Sequence, residues 1–166
     1  SCSTGGFVVN NLPQTWTDRD SGETFSFASA WHYYPEQGGT PLGAVARFER
    51  EGRKIVVPFF ATDDRGRPKA KAPDEPRPLF GLDTIARPGP LFVCEGEQDA
   101  AALHGLELAA ATSQGGGKAA GKADWEPLRR EAEAGRAVLI WPDRDEPGRA
   151  YAATVASLIG PECRCL

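Results

Sequence analysis

Two short apolar runs of this chain are each closely followed by acidic residues, and carboxylates placed in this way can bind metal ions. The first run is Leu91–Cys94 and the second spans 137–141. Runs of this length and composition are typical of strands buried on both faces of a parallel sheet. Ligands of open α/β sheets bind at the carboxyl ends of the strands, so we expect the acidic side chains to meet at that edge. They are Glu95, Asp99, Asp143 and Asp145.

Four carboxylates at one edge of a sheet repel one another unless a cation lies between them. Their oxygens are hard ligands, which suit Mg²⁺ or Mn²⁺, and we therefore expect a divalent metal site. Asp143 and Asp145 lie on an extended segment, so their side chains converge only if the chain bends, and Pro142 favours such a bend. Metal ions held by carboxylates support phosphoryl and nucleotidyl transfer.

Three segments of the sequence resemble the Toprim domain, the metal-binding module shared by bacterial-type DNA primases, topoisomerases and some nucleases. The segments are Glu95–Ala100, Ala111–Gly116 and Asp143–Gly148. The first matches the strand-end glutamate of the family, and the last matches its Asp-x-Asp signature. The Pro-Gly pair at 147–148 and the tryptophans at 125 and 141 are similar to those of phage, plasmid and mobile-element primases. The resemblance covers about residues 91–166.

The resemblance implies roles for the acidic residues. Asp99, Asp143 and Asp145 would be ligands of Mg²⁺ or Mn²⁺, and Glu95 would be either a further ligand or the general acid/base. The catalytic set would be Glu95, Asp143 and Asp145. The implied activity is that of a DNA primase or primase–helicase, a nucleotidyltransferase of the DNA-directed RNA polymerase type that makes primers during replication. The implied partners are single-stranded DNA template, nucleoside triphosphates and a helicase domain or protein.

Two other functions stay open on the same residues. The same carboxylates can activate water instead of a primer hydroxyl, which would make the protein a metal-dependent nuclease. Alternatively, the domain binds nucleic acid without catalysis. The Pro-Gly pair and the tryptophan-containing motifs favour the primase, and they do so by resemblance alone.

Strands and helices alternate through the second half of the chain. We expect strands at 91–94, 108–112, 137–141 and 163–166, and helices at 98–105, after Asp124 and from Pro147. Such alternation with short links predicts a parallel sheet flanked by helices. The predicted fold class is α/β, with this Toprim-like sheet preceded by a small antiparallel β-rich domain.

The first part of the chain is predicted to be an antiparallel meander. Its strands are expected at 31–34, 44–49 and 54–60, where aromatic and β-branched residues are frequent and glycine-containing turns separate the runs. Proline and glycine at 87–90 indicate a boundary, which gives domains at 1–89 and 90–166. Leu79, Phe80 and Leu82 are expected to dock the end of the first part onto the second domain.

Basic residues are candidates for contacts with nucleic acid or phosphate. Residues 90–166 carry 12 acidic and 8 basic side chains, whereas residues 1–89 carry 11 of each. Cations beside an acidic metal centre suit a protein that holds phosphates. Ordinary solvated surface charge is the alternative. The candidates are Arg47, Arg53, Lys54, Lys69, Lys118, Lys122 and Arg144.

Bulk composition excludes several classes of protein. The chain has 166 residues, 40% of them hydrophobic and 25% charged, as expected of a globular protein. No apolar stretch approaches the ~20 residues that span a bilayer, and no signal-peptide pattern opens the sequence. Four cysteines without zinc-ligand spacing favour reduced thiols and a cytoplasmic protein. Because the chain begins with Ser1 and contains no methionine, we expect a fragment of a larger polypeptide.

Overall fold

A computed structural model describes residues 11–166 of the chain. Its contacts divide the chain into two compact units. The first unit comprises the described residues up to Tyr34 together with Gly39–Pro73, and the second comprises Pro35–Gly38 and Asp74–Leu166. The predicted class, a parallel sheet flanked by helices together with an antiparallel sheet, is confirmed.

The first unit contains the predicted meander. Strands β1 (Thr15–Thr17), β2 (Thr24–Tyr33), β3 (Gly43–Arg50) and β4 (Arg53–Phe59) form an antiparallel sheet in that order. Strands β5 (Ala61–Thr62) and β6 (Pro68–Lys69) form a separate two-stranded ladder. β2 begins seven residues before the predicted strand at 31, because Phe25 and Phe27 alternate with small polar residues and enter the core. Phe48 and Phe59 complete this core, with their ring centroids 6.5 Å apart.

The second unit is built around a four-stranded parallel sheet. Its strands are β7 (Leu91–Cys94), β8 (Ala109–Ala111), β9 (Val138–Trp141) and β10 (Arg164–Cys165), in the order β10-β9-β7-β8. Its helices are α1 (Glu97–Gly105), α2 (Glu126–Glu133) and α3 (Glu146–Ile159), and 3-10 helices lie at Leu82–Thr84 and Gly116–Lys122. No helix within residues 11–166 is both long and apolar enough to cross a bilayer.

The two faces of the parallel sheet differ in how well they are covered. Val93 and Ile140 point to one face and are fully buried in the main core, together with residues of α2 and α3 such as Leu128. Phe92 and Trp141 belong to the opposite face, because side chains alternate along a strand. Trp141 is 52% exposed. The expectation of strands buried on both faces is therefore wrong at the last residue of β9.

Residues 74–89 pack with the second unit. Phe80 exchanges two backbone hydrogen bonds with Thr112, at 2.9 and 3.1 Å, and Leu79 and Leu82 are buried in the core of the second unit. The expected docking of this segment is therefore present. By contacts, the division falls between Pro73 and Asp74 and not at the predicted 89/90.

Candidate active site

The carboxyl ends of β7 and β9 bring two of the predicted site residues together. Cys94 and Trp141 are paired across these neighbouring parallel strands, so the residues that follow each strand leave the sheet side by side. The Asp143 amide donates a hydrogen bond to Glu95 Oε2 at 3.4 Å. Residues 48 positions apart in the chain thus meet at the edge where ligands of α/β sheets bind.

A cavity of about 270 Å³ opens at the same edge of the sheet. Two predicted metal ligands, Asp99 from the first turn of α1 and Asp143 from the end of β9, contribute to its lining. The rest of the lining is apolar or neutral: Cys94, Ala102, Leu103 and Trp141. The cavity therefore combines two carboxylates with an aromatic and aliphatic wall.

The electrostatics of the edge are those of a crowded acidic group. Burial raises the pKa of Glu95 above its ordinary value, and the negative charges of Asp143, Asp145 and Asp99 raise it further. The hydrogen bond from the Asp143 amide acts in the opposite direction. This mutual repulsion is the kind that a bound cation relieves.

Cys94 lies beneath these carboxylates as a neutral thiol. Burial, and after it the charges of Asp99 and Asp143, raise the pKa of its thiol to about 12. It therefore does not supply a thiolate at neutral pH. Cys163 and Cys165 are also free thiols, and Cys2 lies outside the described residues.

Asp145 serves as the N-cap of α3. Its Oδ1 accepts a hydrogen bond from the Gly148 amide at 2.8 Å, while the residue itself stays exposed. Glycine is required at position 148, because a Cβ there would overlap the Asp143 carbonyl oxygen. The first turn of α3, with Pro147 inside it as predicted, thus packs directly on the backbone of Asp143.

A buried hydroxyl network supports the ends of β7 and β8. The Tyr151 hydroxyl donates to the Cys94 carbonyl at 2.9 Å and lies 3.4 Å from Ser113 Oγ. Gln114 is only 7% exposed, and its Oε1 has no hydrogen-bond partner among the described residues. In the sequence, the signal of this network is the polar run 112–114, which follows the all-alanine strand β8.

The carboxylates share an edge without forming a closed cage. In the described part of the chain, no three His, Cys, Asp or Glu side chains gather closely enough to hold a metal ion. The donor chemistry nevertheless fits magnesium or manganese, since only hard oxygens are offered and the nearby thiol is neutral. Mg²⁺ usually keeps several waters and is bound through one or two carboxylates, so a three-ligand cage is not needed.

The predicted basic contacts are divided between the two units. In the first unit, Arg47 forms an ion pair with Glu49 at 2.6 Å and Arg53 forms a bidentate pair with Glu23, whereas Lys54 and Lys69 are exposed. In the second unit, Lys122 pairs with Glu75 at 3.3 Å, and Lys118 and Arg144 are exposed. Only Arg144 adjoins the acidic edge in sequence.

Comparisons with known proteins identify the architecture. No protein-family model matches the chain, and no curated protein matches it. Among solved structures, the chain is similar to a DNA primase domain from Pseudomonas aeruginosa, with a TM-score of 0.52 and 16% sequence identity. The fold is primase-like. The match covers 92% of this chain, so it extends beyond residues 91–166, the part whose sequence resembles the Toprim domain. It covers 47% of the other chain, so this chain spans about half the length of that primase domain.

Proposed function

We propose that this chain is part of a DNA primase or primase–helicase and that its second unit is the Toprim domain. In this proposal the domain carries out metal-dependent nucleotidyl transfer for primer synthesis on single-stranded DNA. The observation that carries the proposal is the pairing of Glu95 with Asp143 at adjacent strand ends of a primase-like fold. Asp99 and Asp145 lie near enough to raise the pKa of Glu95 by their charge, so all four acids belong to one electrostatic group.

The acidic edge would hold Mg²⁺ or Mn²⁺ through Asp99, Asp143 and Asp145, with Glu95 as a further ligand or as the proton acceptor. When bound, the ion supplies charge neutralisation at the phosphates and lowers the pKa of the attacking hydroxyl. The hydroxyl oxygen of the primer forms a bond to the α-phosphorus of the incoming nucleotide, the bond to pyrophosphate breaks, and the hydroxyl proton leaves.

Glu95 is the residue best placed to accept that proton. The pKa of Glu95 is raised toward neutral pH, and a general base works best when its pKa lies near the working pH. The Asp143 amide donates to Oε2, and in this proposal the other carboxylate oxygen accepts the proton. The exposed cations Arg144 and Lys118 are suited to contact phosphates, and a helicase domain or protein is the expected partner.

Primer synthesis by the chain and by its Asp143→Asn variant tests the proposal. The chain is incubated with single-stranded template, labelled nucleoside triphosphates and Mg²⁺ or Mn²⁺. We expect extension products from the wild type and a loss of at least about 100-fold in the variant, because the carboxylate is lost while the side-chain shape is kept. Asp83→Asn, which changes an exposed aspartate of the 3-10 helix at Leu82–Thr84, is the matched control and should stay active.

The products separate the competing functions. If the wild type shortens the template and Asp143→Asn does not, the protein is a nuclease and not a primase. Binding of template without either product would leave a non-catalytic module. In parallel, Mg²⁺ should raise the thermal unfolding midpoint of the wild type and of Asp83→Asn, but not that of Asp143→Asn. Equal stabilisation of all three proteins by Mg²⁺ would contradict a metal site at Asp143.

A further inference from the structure

The aromatic wall of the cavity has no role in the carboxylate chemistry. Trp141 lines the cavity together with Asp99 and Asp143, and it is one of the most exposed large apolar residues in the described part of the chain, at 52%. An indole in this position contributes little to the core, which lies on the opposite face of the sheet. Its exposed half therefore forms a surface that an occupant of the cavity would contact.

Trp141 is held from one side. Cys94 is the cross-strand partner of Trp141, and Phe92 lies two residues before Cys94 on β7. The ring centroids of Phe92 and Trp141 are 6.1 Å apart, with an interplanar angle of 49°. Tilted aromatic pairs at this distance are energetically favourable. The indole is thus supported by Phe92 while about half of its surface stays open to solvent.

The lining of the cavity restricts the chemistry of its occupant. A purely apolar group would contact Leu103 and Trp141 but would also bury the carboxylates of Asp99 and Asp143 without partners, which is unfavourable. A phosphate alone would be repelled by the same carboxylates. A nucleotide satisfies both parts of the lining, since the face of its base stacks on the indole while its phosphates meet the carboxylates through the divalent ion that these would hold. A cavity of about 270 Å³ has room for a nucleobase.

We infer that Trp141 is a stacking platform for the nucleobase of a nucleotide bound at the acidic edge. The inference rests on the proposed function for the identity of the ligand and extends it to a residue outside the carboxylate set. The base belongs either to a free nucleoside triphosphate or to a nucleotide of a single strand, and the chemistry of stacking is common to both. Stacking tolerates every base, so Trp141 contributes affinity and not sequence preference.

Equilibrium binding to the full chain in Mg²⁺ tests this inference. The probes are ATP, tripolyphosphate, which lacks a base, and a labelled oligodeoxyadenylate strand. Trp141→Leu keeps an apolar side chain without an aromatic face, whereas Trp141→Phe keeps a smaller face. Leu106→Ala, which shortens an exposed leucine just after α1, is the matched control.

We expect Trp141→Leu to weaken the binding of ATP, of the strand, or of both by about 5- to 100-fold, and Trp141→Phe to weaken it by about three-fold or less. Binding of tripolyphosphate should not change in either variant, and Leu106→Ala should bind all probes as the wild type does. A loss for ATP alone assigns the platform to the free nucleotide, and a loss for the strand alone assigns it to the nucleic acid.

Several results would overturn the inference. They are wild-type affinity for ATP and strand in Trp141→Leu, an equal loss for tripolyphosphate, or no binding of any probe by the wild type. A change in the solution mass of Trp141→Leu with unchanged nucleotide affinity would assign the indole to a protein interface instead. If binding depends on Trp141 while the wild type makes no primer, the proposed function fails and the stacking platform stands.

Discussion

At the scale of single residues, the ionised carboxylate of Glu95 is needed for the proposed function but lowers the stability of the fold. Its pKa is raised by burial and then by the neighbouring aspartates, so the folded chain favours its protonated form. The contribution of this protonated form to stability is fully present below the unfolded pKa near 4.5, and it is lost as the pH rises through the higher folded pKa. At neutral pH the ionised residue therefore costs free energy when no metal ion is bound.

Glu95→Gln is accordingly expected to raise the thermal unfolding midpoint at pH 7 in the absence of divalent metal. The amide keeps an acceptor for the Asp143 N–H and removes the charge. The gain should disappear as the pH falls below about 4, where Glu95 is protonated in both states of the wild type. Primer synthesis should fall by about 100-fold or more, because a proton acceptor is lost.

Thermal unfolding followed by circular dichroism from about pH 4 to about pH 8 measures the difference. The control is Glu133→Gln, which neutralises an exposed glutamate at the end of α2 and should leave the midpoint nearly unchanged. A lower midpoint for Glu95→Gln at pH 7 would mean that the ionised carboxylate stabilises the fold, contrary to the crowded acidic edge.

The places of Glu95 and Asp143 in the fold were predictable from the sequence, whereas the surroundings of the cavity were not. Apolar runs followed by acids were sufficient to locate Glu95 and Asp143 at adjacent strand ends. Nothing in the local sequence distinguishes Trp141, half exposed beside a cavity, from Ile140, which is fully buried. That difference depends on which face of the sheet is covered by α2 and α3, and this is a property of the packed unit.

At the scale of elements, the connection from β9 to α3 is the part of the fold that fixes the acidic edge. Asp145 caps α3 through the Gly148 amide, and position 148 packs on the backbone of Asp143. The Asp-x-Asp pair and the Pro-Gly pair thus form one structural unit, in which the helix start sets the path of the strand end.

Gly148→Ala is expected to destabilise the chain by about 1–3 kcal/mol, since the new methyl group would overlap the Asp143 carbonyl and force the strand end away from α3. Primer synthesis should fall as well, because Asp143 would move relative to Glu95. Unfolding in urea gives the free energy of the variant, and the assay on single-stranded template gives its activity.

Gly105→Ala is the matched control for this substitution. Gly105 is the last residue of α1, and a Cβ there would meet no atom within 4 Å. It should leave stability unchanged or raise it by up to about 1 kcal/mol. Equal effects of the two alanines would show that position 148 tolerates a side chain and that close packing on Asp143 is unimportant.

The boundaries of elements followed the sequence where side-chain periodicity was strong and departed from it at glycines. Trp125, Leu128 and Ala132 lie at positions i, i+3 and i+7 of the sequence, and all three are buried, with Trp125 as the N-cap residue of α2. The glycine-rich segment after β8 has no such pattern, and Gly116–Lys122 there forms a 3-10 helix. It is anchored by the Trp125 indole, which donates to the Ala120 carbonyl at 2.8 Å, a contact that has no local sequence pattern.

At the scale of the whole molecule, the chain divides where long-range contacts end and not where proline and glycine cluster. Proline and glycine at 88–90 were the basis of the predicted boundary. The Arg136 guanidinium instead holds this segment, since it donates to the carbonyls of Ile85, Arg87 and Gly89 and also pairs with Glu131 at 2.9 Å. Its side chain is only 16% exposed. Arg136, which is 47 to 51 positions away in the sequence, therefore ties the segment to the second unit.

Arg136→Lys is expected to release residues 85–90 from the second unit even though the charge is kept. An ammonium group has three donors on a flexible stem and cannot reproduce a planar fork that reaches three carbonyls and a carboxylate. We expect a loss of about 2–4 kcal/mol in unfolding free energy, together with faster hydrogen exchange in peptides covering 85–90. The control is Arg130→Lys, which alters a half-exposed arginine of α2 whose ion pair with Glu36 contributes little. If residues 85–90 exchange hydrogen at the same rate in both variants, the hydrogen bonds of Arg136 are not needed to hold the segment. The burial of Leu82 and Ile85 would then be sufficient to keep it in the second unit.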